Sequence, residues 1–166
     1  RYHAFVMQRR NMRYVKPAME AAKPMLYVEY GALDQDPFLL NTPEATYDLR
    51  LGVAGRKAHS ADDLITKAAI TEPGDRGAAL WKDTLGRTFL GDMELIDYVQ
   101  EIVGLASIGK VYVEMLLIAY GDGRNGKSTF FNTISRVLGS YSGGLSSDSL
   151  IVGCRRNVKW EITELK

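Results

Sequence analysis

Residues 113–138 read VEMLLIAYGDGRNGKSTFFNTISRVL, and their pattern decides the fold. Residues 113–120 are mostly apolar around Met115, Leu116, Leu117 and Ile118, the length of one buried strand. Residues 121–129 switch to glycine and polar side chains. From Phe130 onward, Phe130, Phe131, Ile134, Val137 and Leu138 recur at helical spacing as a buried face, and Gly139 supplies the stop. A strand, a Gly-rich turn and a helix in that order form the opening unit of a phosphate-binding parallel sheet.

The turn satisfies G-x-x-x-x-G-K-[ST] at every fixed position: Gly121, Asp122, Gly123, Arg124, Asn125, Gly126, Lys127, Ser128, with Thr129 adjoining. The chemistry explains each residue type. Gly121 and Gly126 let the backbone turn so that successive N–H groups converge on an anion. Lys127 brings an ammonium to the β- and γ-phosphate oxygens, and the Ser128 hydroxyl is a hard ligand suited to Mg²⁺. The following helix aims the positive end of its dipole at the same place. A chance match in a chain of this length is roughly 1 in 100. The expected cofactors are ATP and Mg²⁺.

Upstream of this unit the chain reads as mostly helical. Residues 75–89 place Leu80, Trp81, Leu85 and Phe89 on one helix face. Asp92 is positioned to cap the next helix, whose Leu95, Ile96, Val99, Ile102 and Val103 share a face and which Gly104 ends. Residues 36–52, DPFLLNTPEATYDLRLG, instead predict a β-hairpin near 38–49 with turn chemistry at Asn41, Thr42, Pro43 and Glu44. A surface connection with a helix over 61–69 follows. Before the hairpin, a basic helix up to Pro17 is expected, then a second beginning at Pro17, then a third from Pro24 burying Leu26, Tyr27 and Tyr30. The fold class expected is α/β overall: a mostly α domain with a β-hairpin over residues 1–110, then the first β–P-loop–α unit of an incomplete parallel-sheet domain over 111–166.

Composition bounds the partners. Of 166 residues 46% are hydrophobic and 25% charged, which argues against disorder and fibrous repeats. A net charge of +1 exerts no global pull on nucleic acid, so such binding requires a local patch. One exists: six cations, including Arg9, Arg10 and Arg13, stand against one acid in the first 23 residues. These three arginines are the candidate DNA contacts, against the plainer reading of a solvated helix face. No apolar run approaches the roughly 18 residues of a membrane span, and the arginines break any signal-peptide core. The single cysteine, Cys154, excludes an internal disulfide and fits a cytoplasmic setting.

Other sites are weaker. His3 and His59 lack ligand-spaced partners. Cys154 lies beside Arg155 and Arg156 but has no evident base. Asp34, Asp36, Glu44 and Asp48 are explained by turn chemistry. The residues after Leu138, Ser/Gly-rich over 139–149 and helical over 158–165, contain no apolar strand ending in an acid. Hydrolysis by a P-loop enzyme needs such an acid and usually an arginine finger, so catalytic residues are unassigned.

Three separated blocks, DPFLLNTPEATYDLRLG, LWKDTLGRTFLGDMELIDYVQEIVGLASIG and LLIAYGDGRNGKSTFFNTISRVLGSY, together resemble phage and plasmid primase–helicases of helicase superfamily 3. The resemblance runs from about residue 30 to 150 and departs from the family at Glu44-Ala45, where relatives often carry glycine. It implies an α-rich domain before a AAA+-like motor that forms a homo-oligomer, a hexameric ring, around single-stranded or forked DNA in a prokaryotic cytoplasm. The chain then reads as a fragment of an ATP-dependent replicative helicase, inactive in isolation because the Walker B acid and arginine finger are missing. Its start at Arg1 points the same way. The alternatives are a non-hydrolysing DNA-binding or oligomerisation module and a small-molecule P-loop kinase.

Overall fold

The computed structural model describes residues 1–151. The chain divides into two compact units, Arg1–Leu33 and a second beginning at Asp34.

The first unit is helical. Helix α1 spans Tyr2–Arg9 and α2 spans Met12–Ala22. The break falls at Arg10 and Asn11, because the Asn11 side chain accepts from the Arg13 amide at 3.0 Å and caps α2. The expected break at Pro17 is therefore corrected: Pro17 lies inside α2. Pro24 opens only a short 3-10 turn, Lys23–Leu26. Leu26, Tyr27 and Tyr30 are exposed rather than buried, since turns this short present no continuous apolar face.

In the second unit, strands β1 (Leu39–Asn41), β2 (Thr46–Asp48) and β3 (Arg56–Lys57) form an antiparallel sheet in that order. Leu40 faces Tyr47, which in turn faces Arg56. The hairpin stands where the alternation and turn residues predict it, and β3 adds a strand too short to show a period. Thr42 closes the turn twice on the Ala45 carbonyl, through its amide at 2.9 Å and its hydroxyl at 2.6 Å. Thr42, Ala45, Thr46 and Tyr47 are all buried, which makes the hairpin one centre of the core. Two of the aspartates act as turn residues, Asp36 accepting from the Phe38 amide at 3.1 Å and Asp48 from the Arg50 amide at 3.0 Å, whereas Asp34 accepts from the distant Thr66 amide at 2.7 Å. Arg50 clamps Asp36 at 2.6 Å and lies over the Phe38 ring.

The helix expected over 61–69 is not formed. Only Ala61–Asp63 makes a 3-10 turn, and Leu64 turns left-handed at φ 49°. The following backbone bonds outward instead. The Ala69 amide donates to the Asn41 carbonyl (2.8 Å), and the Ile70 amide to the Val137 carbonyl (3.1 Å). The Ser140 amide donates back to the Ala68 carbonyl (3.1 Å). Residues 68–70 thus tie the hairpin edge to the end of the last helix. The Ser/Gly segment after that helix is pinned too: the Tyr141 hydroxyl accepts from the Asn41 amide at 3.0 Å.

Helices α3 (Ala78–Thr88), α4 (Met93–Ala106) and α5 (Lys127–Leu138) follow. Asp92 caps α4 by accepting from the Leu95 amide at 3.0 Å. The helix runs past Gly104, whose carbonyl receives the Ser107 hydroxyl at 2.6 Å. On α3, Leu80 points to solvent and the packed face shifts to Trp81 and Leu85. On α5 only Phe130 is buried; Phe131 and Val137 are substantially exposed. Phe130 stacks on Trp81 with ring centres 5.8 Å apart and an interplanar angle of 11°. Phe89 and Phe131 meet it edge-on. This aromatic cluster is the second centre of the core.

The described residues are therefore mostly helical, with one small antiparallel sheet. Residues 113–120 join no strand ladder, so of the expected β–loop–α unit the helix is formed and the strand is not. A strand needs neighbours, and the described residues supply none beside it. The helix expected over 158–165, and Cys154 with Arg155 and Arg156, lie outside the described residues. No helix among the described residues is long and apolar enough to cross a membrane.

Candidate phosphate-binding loop

Residues 121–126 connect the unpaired apolar segment to α5, whose first turn carries Lys127, Ser128 and Thr129. Three consecutive features bend the backbone: Gly121 at φ 145°, Arg124 at φ 63° and Gly126 at φ 85°. Positive φ at Arg124 and Gly126, on either side of Asn125, is the kind of backbone turn from which anion-binding concavities are built. Both glycines suit their positive φ, and at each a Cβ would press on a neighbouring side chain. A Cβ on Gly121 would stand 2.6 Å from Asn125 Nδ2, and one on Gly126 would stand 2.8 Å from Thr88 Oγ1. Arg124 holds its left-handed conformation without that licence, a local strain of the kind that clusters at ligand sites.

Lys127, at the first position of α5, folds back into the loop. Its Nζ donates to the Gly121 carbonyl (2.9 Å), the Asp122 carbonyl (3.0 Å) and Asn125 Oδ1 (2.8 Å). All three protons of the ammonium are thus directed at loop acceptors, and the loop is wrapped around a cation. The α5 N-terminus begins at Gly126 with no side-chain cap, so its first amides remain available. The Ser128 side chain is exposed beside them. No group of three His, Cys, Asp or Glu able to hold a metal exists among the described residues. A cation at Ser128 would have to bring phosphate oxygens and water as its other ligands.

The structure places the nine motif residues together, Gly121 to Gly126 in the loop and Lys127, Ser128 and Thr129 in the first turn of α5, as contiguity requires. Arg9, Arg10 and Arg13 belong to the first unit. Arg9 lies over the rings of Phe5 and Tyr14, at 4.7 and 4.4 Å, and shares a recess of about 720 Å³ with Arg13 and Tyr14. Two features escape sequence reading. His59 Nδ1 lies 3.2 Å from the buried Thr46 hydroxyl, which also donates to Asn41 Oδ1. Glu72 seals the hairpin turn by accepting from the Glu44 amide (2.6 Å) and the Tyr47 hydroxyl (3.1 Å). Its carboxyl is held below the ordinary glutamate value by the Thr42 hydroxyl first, then by that amide and phenol.

Residues 1–90 match the family described as D5 N terminal like. The chain belongs to that family. Its members are the N-terminal domains of D5-like phage and plasmid primase–helicases, which places this chain among proteins of primase–helicase type. The match takes in the first unit, the three-stranded sheet and all of α3, and it ends before α4 and the phosphate loop. It also covers the first thirty residues, which the sequence resemblance does not reach. No curated protein and no solved structure matches the chain.

Proposed function

We propose that this D5 N-terminal-like chain is part of an ATP-dependent replicative DNA helicase of phage or plasmid type, and that residues 121–129 hold ATP–Mg²⁺. The observation that carries the reading is the threefold hold of Lys127 inside its own loop. A bound triphosphate would exchange three neutral acceptors for charged oxygens, and charge-assisted hydrogen bonds are roughly twice as strong as neutral ones. Gly121 and Gly126 allow the amides to approach the β-phosphate, the α5 N-terminus adds its dipole, and Ser128 would ligand Mg²⁺. In the full-length hexamer, ATP hydrolysis would drive movement along DNA.

Lys127→Ala is expected to weaken ATP–Mg²⁺ binding at least about tenfold, which corresponds to about 1.4 kcal/mol. Isothermal titration of the two proteins tests this, and coincident curves would overturn it. A second reading, a DNA-binding or oligomerisation module without ATPase activity, is favoured by residues 113–120 joining no ladder. The two readings part on turnover. Phosphate release by this chain at about 1 per second, abolished by Lys127→Ala, would remove the second and would also overturn the expectation that this chain is inactive in isolation.

A further inference from the structure

We propose that Thr88, the last residue of α3, is a positioning residue for the phosphate loop: it buttresses the turn at Gly126 from behind. The inference rests on the nucleotide-binding reading of that loop and adds a residue from outside the motif. Gly126 stands at φ 85°, and the place its Cβ would occupy lies 2.8 Å from Thr88 Oγ1 and 3.4 Å from Thr88 Cγ2. The Thr88 side chain therefore closes the space beside the Gly126 Cα, leaving no room for a methyl between them.

The buttress is itself anchored. Trp81 and Phe89, on and just after the same helix, grip Phe130 face-on and edge-on, each at 5.8 Å. The Phe130 amide donates to the Gly126 carbonyl at 2.9 Å, so Phe130 is one helical turn beyond the glycine that Thr88 touches. Helix α3 thus meets the phosphate loop at Gly126 and α5 in its first turn. Two contacts from one helix fix both the position and the direction of the amides that would meet the phosphates. The C-terminal end of α3 is closed by the Gly91 amide on the Gly86 carbonyl at 2.8 Å, which keeps Thr88 from fraying.

The Thr88 hydroxyl makes no hydrogen bond among the described residues, so Thr88 contributes shape rather than polarity. That distinction yields the test. Hydrogen exchange of amides 121–128 is measured on the nucleotide-free 166-residue chain, together with thermal unfolding and ATP–Mg²⁺ titration. Thr88→Ala empties the space behind Gly126. It should speed exchange across the loop by roughly tenfold and weaken ATP–Mg²⁺ binding on the order of tenfold, with little change in unfolding temperature. Thr88→Val keeps the branched shape and should match the wild type in all three.

Loop exchange unchanged in Thr88→Ala, or a Val variant as impaired as Ala, would overturn the proposal. Should Thr88→Ala lower global stability, coupling to Gly126→Ala decides. A methyl at position 126 meets Thr88, so it should loosen loop exchange less when Thr88 is already Ala; strict additivity would overturn the buttress. A wild-type chain that binds no nucleotide would defeat the nucleotide reading, while the exchange comparison would still judge Thr88.

Discussion

Glu72 shows how a single carboxylate holds a turn. Its two oxygens receive an amide and a phenol, and every one of those donors favours the charged form. Because the folded-state pKa lies below the ordinary value of 4.5, the stabilisation is fully present above about pH 4.5 and is lost as pH falls through the depressed value. Asp36 behaves alike, its carboxyl lowered by the Arg50 guanidinium that pairs with it. Glu72→Gln keeps one acceptor but turns an NH₂ towards a donor. Its thermal midpoint should fall below that of the wild type at pH 7, and the two should converge near pH 3. Parallel curves at every pH would remove Glu72 from the acid limb.

Elements differ in how far sequence announces them. Helices α3, α4 and α5 are legible because apolar spacing and caps agree locally, as at Asp92 and Gly139. The phosphate loop is legible because its chemistry is contiguous. Residues 61–69 are not, since their backbone is committed to Asn41 and Ser140, partners that no local pattern reveals. Thr88 is hidden for the same reason: its role depends on a loop encoded in a different block of the chain. The buried face of α5 is narrower than its periodicity suggests, because only Phe130 meets other aromatic rings closely on both its face and its edges. Gly139 tests the tie between α5 and the hairpin. It sits at φ 58°, and a Cβ there would lie 2.6 Å from the Ala68 carbonyl oxygen. Gly139→Ala should cost about 1–3 kcal/mol from backbone strain alone, measured by urea unfolding. A loss within about 0.5 kcal/mol would show that the tie yields freely.

At the scale of the whole molecule, charge is distributed unevenly although it nearly balances. Six of the 21 Lys and Arg fall in the first 23 residues, against one of the 20 Asp and Glu. That one acid, Glu20, is already paired with Lys23 at 2.7 Å, so it offsets little of the arginine charge on α1 and α2. A pair as exposed as this contributes little to stability, and its main effect is to leave Arg9, Arg10 and Arg13 uncompensated. Arg9 and Arg13 open into one recess with Tyr14, which places guanidinium and aromatic surfaces side by side. Such a surface suits a phosphate backbone with bases able to stack, and each phosphate neutralised releases condensed counterions. If all three arginines make contact, replacing them with Gln should flatten the plot of log affinity against log salt by up to about 2.7 for duplex DNA, or about 2.1 for a single strand. An unchanged slope would mean that these side chains are a solvated helix face.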